Sequence, residues 1–129
     1  MRKSGILLPL FSLDGKYGTG TMGKSAFEFV DFLYESKQTL WQILPLNPTS
    51  YGNSPYQSPG IFAGNPYFID PEILYRDGFI SKNTLSDFES ENTGSVDYSY
   101  LYKTRLSLLK RAVDGIPDSD SKYLDFCSK

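Results

Sequence analysis

Histidine is absent from the 129 residues, and cysteine occurs once, as Cys127. Without imidazole, neither a Ser-His-Asp nor a Cys-His arrangement can be assembled, so acid or base chemistry would fall to carboxylates, lysine or tyrosine. One thiol cannot close an internal disulfide, and no C-x-x-C or Cys/His cluster is there to hold a metal. Cys127 reads as an ordinary cytosolic thiol. An excess of one charge is also missing: 13 basic and 15 acidic residues are mixed along the chain to a net charge of −2. That balance provides no electrostatic footprint for nucleic acid or an anionic membrane. Long hydrophobic runs are lacking too. After Arg2 and Lys3 the stretch "GILLPLF" is short, interrupted by Pro9 and not followed by a small-residue cleavage site, which argues for a strand in a cytoplasmic protein.

Aromatic rings are abundant: 16% of the chain, with 10 tyrosines and 9 phenylalanines. Many stand in polar, Gly/Pro-rich stretches where core packing does not require them. A flat apolar face with a hydrogen-bonding tip suits a sugar ring. The length is that of one modest domain, sufficient for a single core.

Gly5 to Phe11 reads as a strand buried on both faces, with Pro9 near its end. From Gly23 to Glu35 the period becomes helical, with Ala26, Phe27, Val30, Leu33 and Tyr34 on one face. Ser25 and Glu28 have capping-box spacing, although Ser25 fits equally inside the first turn. "TLWQILPL", Thr39 to Leu46, reads as a second buried strand, with Trp41 buried on it in preference to serving as a sugar platform, so a parallel βαβ unit is expected. Regular periodicity then stops for about 25 residues, a length at which a loop is commonly functional. Beyond it the pattern predicts short helices at Pro71 to Arg76 and Leu85 to Glu89, a longer one from Tyr98 to Val113 with Leu101, Tyr102, Leu108, Leu109 and Ala112 among its apolar positions, and another beginning in "YLDFCSK".

Gly18, Gly20 and Gly23 form G-x-G-x-x-G between a strand and a helix. A dinucleotide site also needs an acidic residue at the end of the second strand for the ribose, and "ILPLNPTS" offers Asn47 there. The glycines therefore read as shaping elements of a tight loop that lets the helix approach the sheet.

Three stretches, taken in order, closely resemble the N-terminal part of the 4-alpha-glucanotransferases, also called amylomaltases: "SGILLPLFSLDGKYGTGTMG", "WQILPLNPTSYGNSPYQSPGIFAGNPYFID" and "VDYSYLYKTRLSLL". The most specific piece is "SYGNSPYQS" followed by "AGNPY". The resemblance implies an α/β fold: the N-terminal part of a (β/α)8 TIM barrel, containing its first two βα segments, with a helical insertion subdomain. Residues 1–70 would form the start of the barrel and the long loop after the second strand, and 71–129 a truncated helical insertion. The implied activity is transfer of α-1,4-glucan segments between maltooligosaccharides with retention, which needs a carboxylate nucleophile and an acid/base carboxyl about 5 Å apart. The family takes these from strands beyond Lys129. No catalytic residue, metal or cofactor is therefore assigned to this chain, which is expected to be an inactive fragment by itself. The implied partners are α-1,4-glucans and maltooligosaccharides, with neither nucleic acid nor membrane.

By the same resemblance Ser54 and Tyr56 line the donor side of the sugar site, with a rival reading in which Ser54 serves only a turn stiffened by Pro55. Tyr51 matches an aromatic of a secondary glucan groove, and Tyr98 lies near it or packs its helix. Asn65-Pro66-Tyr67 reads as loop support. The chain departs from the family pattern at Asn53, where aspartate is more frequent, at Asn47, where glycine is common, and at Pro59, where an aromatic is usual. A surviving glucan-binding module without catalysis is the alternative class, and a nicotinamide or flavin oxidoreductase the third.

Overall fold

A computed structural model describes residues 2–50, 52–90 and 94–129. Two short strands, β1 (Gly5–Leu7) and β2 (Leu40–Gln42), pair in parallel with Ile6 opposite Trp41. The helix α1 (Lys24–Glu35) connects them, giving the expected βαβ unit. Both strands are shorter than their apolar runs. Pro9 begins a 3-10 turn at Leu10–Ser12, and the residues after Gln42 leave the ladder. A proline lacks the N–H that a ladder needs.

The strands are not buried on both faces as expected: Leu7 and Leu40 remain 57% and 50% exposed. One face is covered by α1, where the Phe29 ring meets Trp41 edge-on at 4.9 Å. The Trp41 indole N–H donates to the Leu8 carbonyl at 2.8 Å, and its ring is half-buried. The predicted inward stripe of α1 is corrected as well. Leu33 is buried, whereas Phe27, Val30 and Tyr34 lie exposed. A helix apolar on most of its circumference needs cover on more than one side, and among the described residues only the side facing the strands is covered.

Capping fixes the later helices. Asp70 caps α2 (Pro71–Arg76), with Pro71 at its first position, and Ser81 caps α3 (Lys82–Asp87). Asp97 caps α4 (Tyr98–Asp114) and Asp120 caps α5 (Ser121–Cys127). Each side-chain oxygen accepts an N–H left without a partner at the helix start. The third helix begins earlier than its apolar residues indicate because Ser81 accepts from Thr84 N at 3.1 Å. By contrast, Ser25 and Glu28 form no capping box. Gly23 precedes α1, and Glu28 pairs with Lys24 at 3.5 Å.

The core lies among the helices, where Ile80, Phe88, Leu108 and Ala112 are buried together with Leu74 and Leu85 against them. The stripe that α4 turns inward is Leu101, Arg105, Leu108 and Ala112. Arg105 is 2% exposed. Its guanidinium donates to the carbonyls of Ile69 at 2.8 Å and Tyr17 at 2.9 Å, tying the helix to both loops that flank the strands. Burial lowers its pKa, and Asp70 and the tyrosines around it act the other way.

Candidate functional site

The loop after β2 is pinched at two levels. At its base the Asn65 N–H donates to Leu46 O at 2.9 Å and the Asn65 side chain accepts from Tyr67 N at 3.0 Å, which bears out the loop-support reading of Asn65. Nearer the tip, Ser50 N donates to Gln57 O at 3.1 Å and Asn53 N to Ser50 O at 3.0 Å. Gly52 and Asn53 have φ of 94° and 56°. This left-handed region costs glycine nothing, and asparagine tolerates it better than most side chains. The reversal delivers Ser54-Pro55-Tyr56. The Ser54 hydroxyl accepts from Tyr56 N at 3.3 Å, the turn role weighed in the sequence, while the Tyr56 ring stands 72% exposed. Tyr51 lies outside the described residues.

Tyr98, the first residue of α4, faces the other limb of this loop. Between them runs an open groove of about 830 Å³, with Thr49, Ser50 and Asn53 on the loop side and Tyr98, Tyr102 and Lys103 on the helix. Tyr67 completes the wall, whereas Ser54 and Tyr56 do not line it. The structure thus brings Tyr98 to the Ser50–Asn53 limb and leaves Ser54 and Tyr56 on separate surface. Tyr102, counted in the sequence among apolar helix positions, is 73% exposed. It follows Tyr98 by one turn, so the two rings share a face. That spacing was the signal available for it. Tyr67 had none, because only the fold carries it to α4. Burial first, and then Tyr67, pushes the Tyr98 phenol above its ordinary pKa. Phenols, hydroxyls and one ammonium around flat faces suit a neutral, hydroxyl-rich ligand.

The G-x-G-x-x-G stretch is put to another use. Gly18 has φ 80°, and a Cβ at Gly23 would fall on the Asp70 carboxylate. Asp70 accepts from the Thr21 hydroxyl and, through its other oxygen, from Ile73 N at 3.0 Å. The Asp70 carboxylate therefore lies against Gly23, beside the start of α1. Among the described residues no group of three or more histidine, cysteine or carboxylate side chains is gathered to hold a metal, and no helix is long and apolar enough to cross a membrane.

The sequence model of the 4-alpha-glucanotransferase family matches residues 8–129. The chain belongs to that family. It is 51% identical over 114 residues to the 4-alpha-glucanotransferase of Streptococcus pneumoniae, an alignment covering 87% of this chain and 22% of that enzyme. With the 4-alpha-glucanotransferase of Clostridium butyricum identity is 45% over 122 residues, 92% of this chain and 22% of the relative. A solved amylomaltase from Streptococcus agalactiae, in complex with acarbose, superposes with a TM-score of 0.90 at 41% identity, covering 99% of this chain and 26% of that one. The chain therefore has the fold of a segment of an amylomaltase and spans about a fifth of the length of the 4-alpha-glucanotransferases it matches.

Proposed function

We propose that these residues form part of a 4-alpha-glucanotransferase that transfers α-1,4-glucan segments between maltooligosaccharides by a retaining double displacement. The observation that carries the proposal is the family match across residues 8–129, supported by close superposition on an enzyme that binds the glucan-like ligand acarbose. In this reading β1 and β2 are the first two strands of a (β/α)8 barrel, residues 71–129 belong to a helical insertion, and the exposed apolar faces of β1, β2 and α1 pack on further strands and helices. Barrel enzymes build their sites at the carboxyl ends of the strands, where the loop after β2 stands.

The nucleophile and the acid/base carboxyl then lie outside these 129 residues. This segment holds substrate: Ser54 and the exposed Tyr56 on the donor side, Tyr51 and Tyr98 along the adjoining groove, with Tyr67 and Tyr102 added to that surface by the fold. A pyranose ring stacks on a phenol face while its hydroxyls exchange hydrogen bonds with the rim.

The test is incubation of the complete protein with maltotriose. Glucose and longer maltooligosaccharides should form together, and the 129-residue chain alone should form neither. Replacing Tyr56 by alanine in the complete protein should raise KM about tenfold, the equivalent of one lost aromatic contact. Turnover by the short chain, or hydrolysis to glucose without longer products, would overturn the reading.

A further inference from the structure

We propose that Asn47 is a positioning residue, whose carboxamide clamps the far limb of the loop after β2 and so holds Ser54 and Tyr56 in the shape that receives a sugar. The inference rests on the glucan-transfer reading for its substrate, and on geometry for everything else.

The Asn47 Nδ2 lies 3.2 Å from the carbonyl of Gly60, 2.7 Å from that of Ile61 and 3.2 Å from that of Ala63. All three neighbours are acceptors, so the amide must present its NH2 and not its oxygen, and two hydrogens are shared among three carbonyls. From the other side, the Asn65 side chain donates to the Asn47 backbone carbonyl at 3.3 Å. Residues 46 and 47 thus grip the returning limb through both backbone and side chain. The Ser50–Gln57 closure sits inside this outer closure and carries Ser54 and Tyr56.

Hydrophobic burial does not fix the loop. Tyr56, Ile61 and Phe62 are 72%, 76% and 97% exposed. A Cβ at Gly64 would meet nothing within 4 Å, and one at Gly60 only the Ala63 Cβ at 3.7 Å. With little packing to define the limb, its path is set by polar contacts, and Asn47 makes three of them. A glycine at this position would leave those carbonyls to solvent and the loop to be ordered by the incoming substrate. The cost of ordering would then appear in binding.

Two substitutions in the complete protein test the clamp. Asn47→Gly removes the amide, and Asn47→Asp keeps its shape but points an acceptor at three acceptors. Hydrogen exchange of the Ser50, Asn53 and Gln57 amides should quicken about tenfold in Asn47→Gly and further in Asn47→Asp. The KM for maltotriose should rise in the same order while kcat stays within about threefold. As pH falls, the aspartate variant should recover relative to the glycine variant, because a protonated carboxyl can donate once. A side chain that merely fills space would give the opposite order, with Asn47→Asp close to wild type and Asn47→Gly impaired, and that result would overturn the proposal. So would unchanged exchange at the three amides. If the wild-type protein fails to act on maltotriose yet the amides respond as stated, the transfer reading falls and the clamp stands.

Discussion

Replacing Arg105 by methionine would take away a cation and leave its two acceptors behind. The carbonyls of Tyr17 and Ile69 are bound at 2.9 and 2.8 Å by a guanidinium that is 2% exposed. Each carbonyl stranded without a donor costs about 1–3 kcal/mol. Relief of the desolvated charge offsets part of that, because a buried guanidinium is itself expensive. A net loss of about 2–4 kcal/mol follows, the usual outcome when one partner of a buried polar contact is deleted. Arg105→Lys should lose about half as much, since one ammonium is a point donor and lacks the planar fork that spans two carbonyls. The readout is native-state hydrogen exchange at two amides beside those carbonyls: Ser90 N, bonded to Lys16 O at 2.7 Å, and Met22 N, bonded to Phe68 O at 2.9 Å. In Arg105→Met both should exchange about 30-fold faster or more, with the lysine variant between it and wild type. Exchange within threefold of wild type at both amides would refute the idea that this guanidinium joins the two loops.

Two further perturbations follow from the same region. Gly23→Ala drives a methyl into the Asp70 carboxylate and should cost about 2–4 kcal/mol through the lost cap on α2 and the lost Thr21 contact, whereas Gly64→Ala, in open space, should be neutral or stabilise by up to about 1 kcal/mol; equal melting shifts for the two would contradict the packing argument. Tyr17 is pushed well above its ordinary 10.0, by burial first and then by Glu72, Glu89 and Asp70. The unfolded chain therefore releases that proton at lower pH than the folded one, so the contribution of Tyr17 is intact below pH 10 and is lost as the pH rises beyond it. Tyr17→Phe should flatten the alkaline decline in stability while giving up only a weak 3.5 Å bond to Glu72 at neutral pH; parallel alkaline limbs for the two proteins would count against it.

Local signals were legible at the starts of α2 and α4, whereas the Ser81 cap that starts α3 was hidden behind the later apolar residues. Asp70 followed by Pro71 marks the start of α2, and Asp97 and Asp120 stand immediately before α4 and α5. The parallel pairing followed from strand, helix and strand in that order, whereas strand length was overread because apolar character continues past Pro9 and Pro45 although the ladder does not. Arg105 could not be read as buried. It occupies a core position in the α4 stripe, but a charged side chain with helical spacing is ordinarily a solvated one, and its acceptors come from two distant loops. The groove was half legible for the same reason: Tyr98 and Tyr102 are one turn apart in sequence, while Tyr67 reaches them only through the fold. Asn47 registered as a departure from a family pattern and as the missing acid of a nucleotide site. Its three carbonyl partners, 13 to 16 residues away, gave no sequence signal.

The glycines before α1 illustrate how a motif can carry its spacing without its chemistry. A glycine-rich approach to a helix start is a ready anion site, because unpaired N–H groups and the helix dipole both favour negative charge. Here a carboxylate already stands close to that start. Asp70 lies against Gly23, just before α1, takes the Thr21 hydroxyl on one oxygen and caps α2 with the other, so one carboxylate ties the first loop to the start of α2. A phosphate brought to α1 would have to displace that carboxylate, uncapping α2, or sit beside it and be repelled. The glycine at position 23 is required because any side chain would push Asp70 away. The close approach of Asp70 to the first loop and the seating of α2 on that loop thus depend on the same glycine.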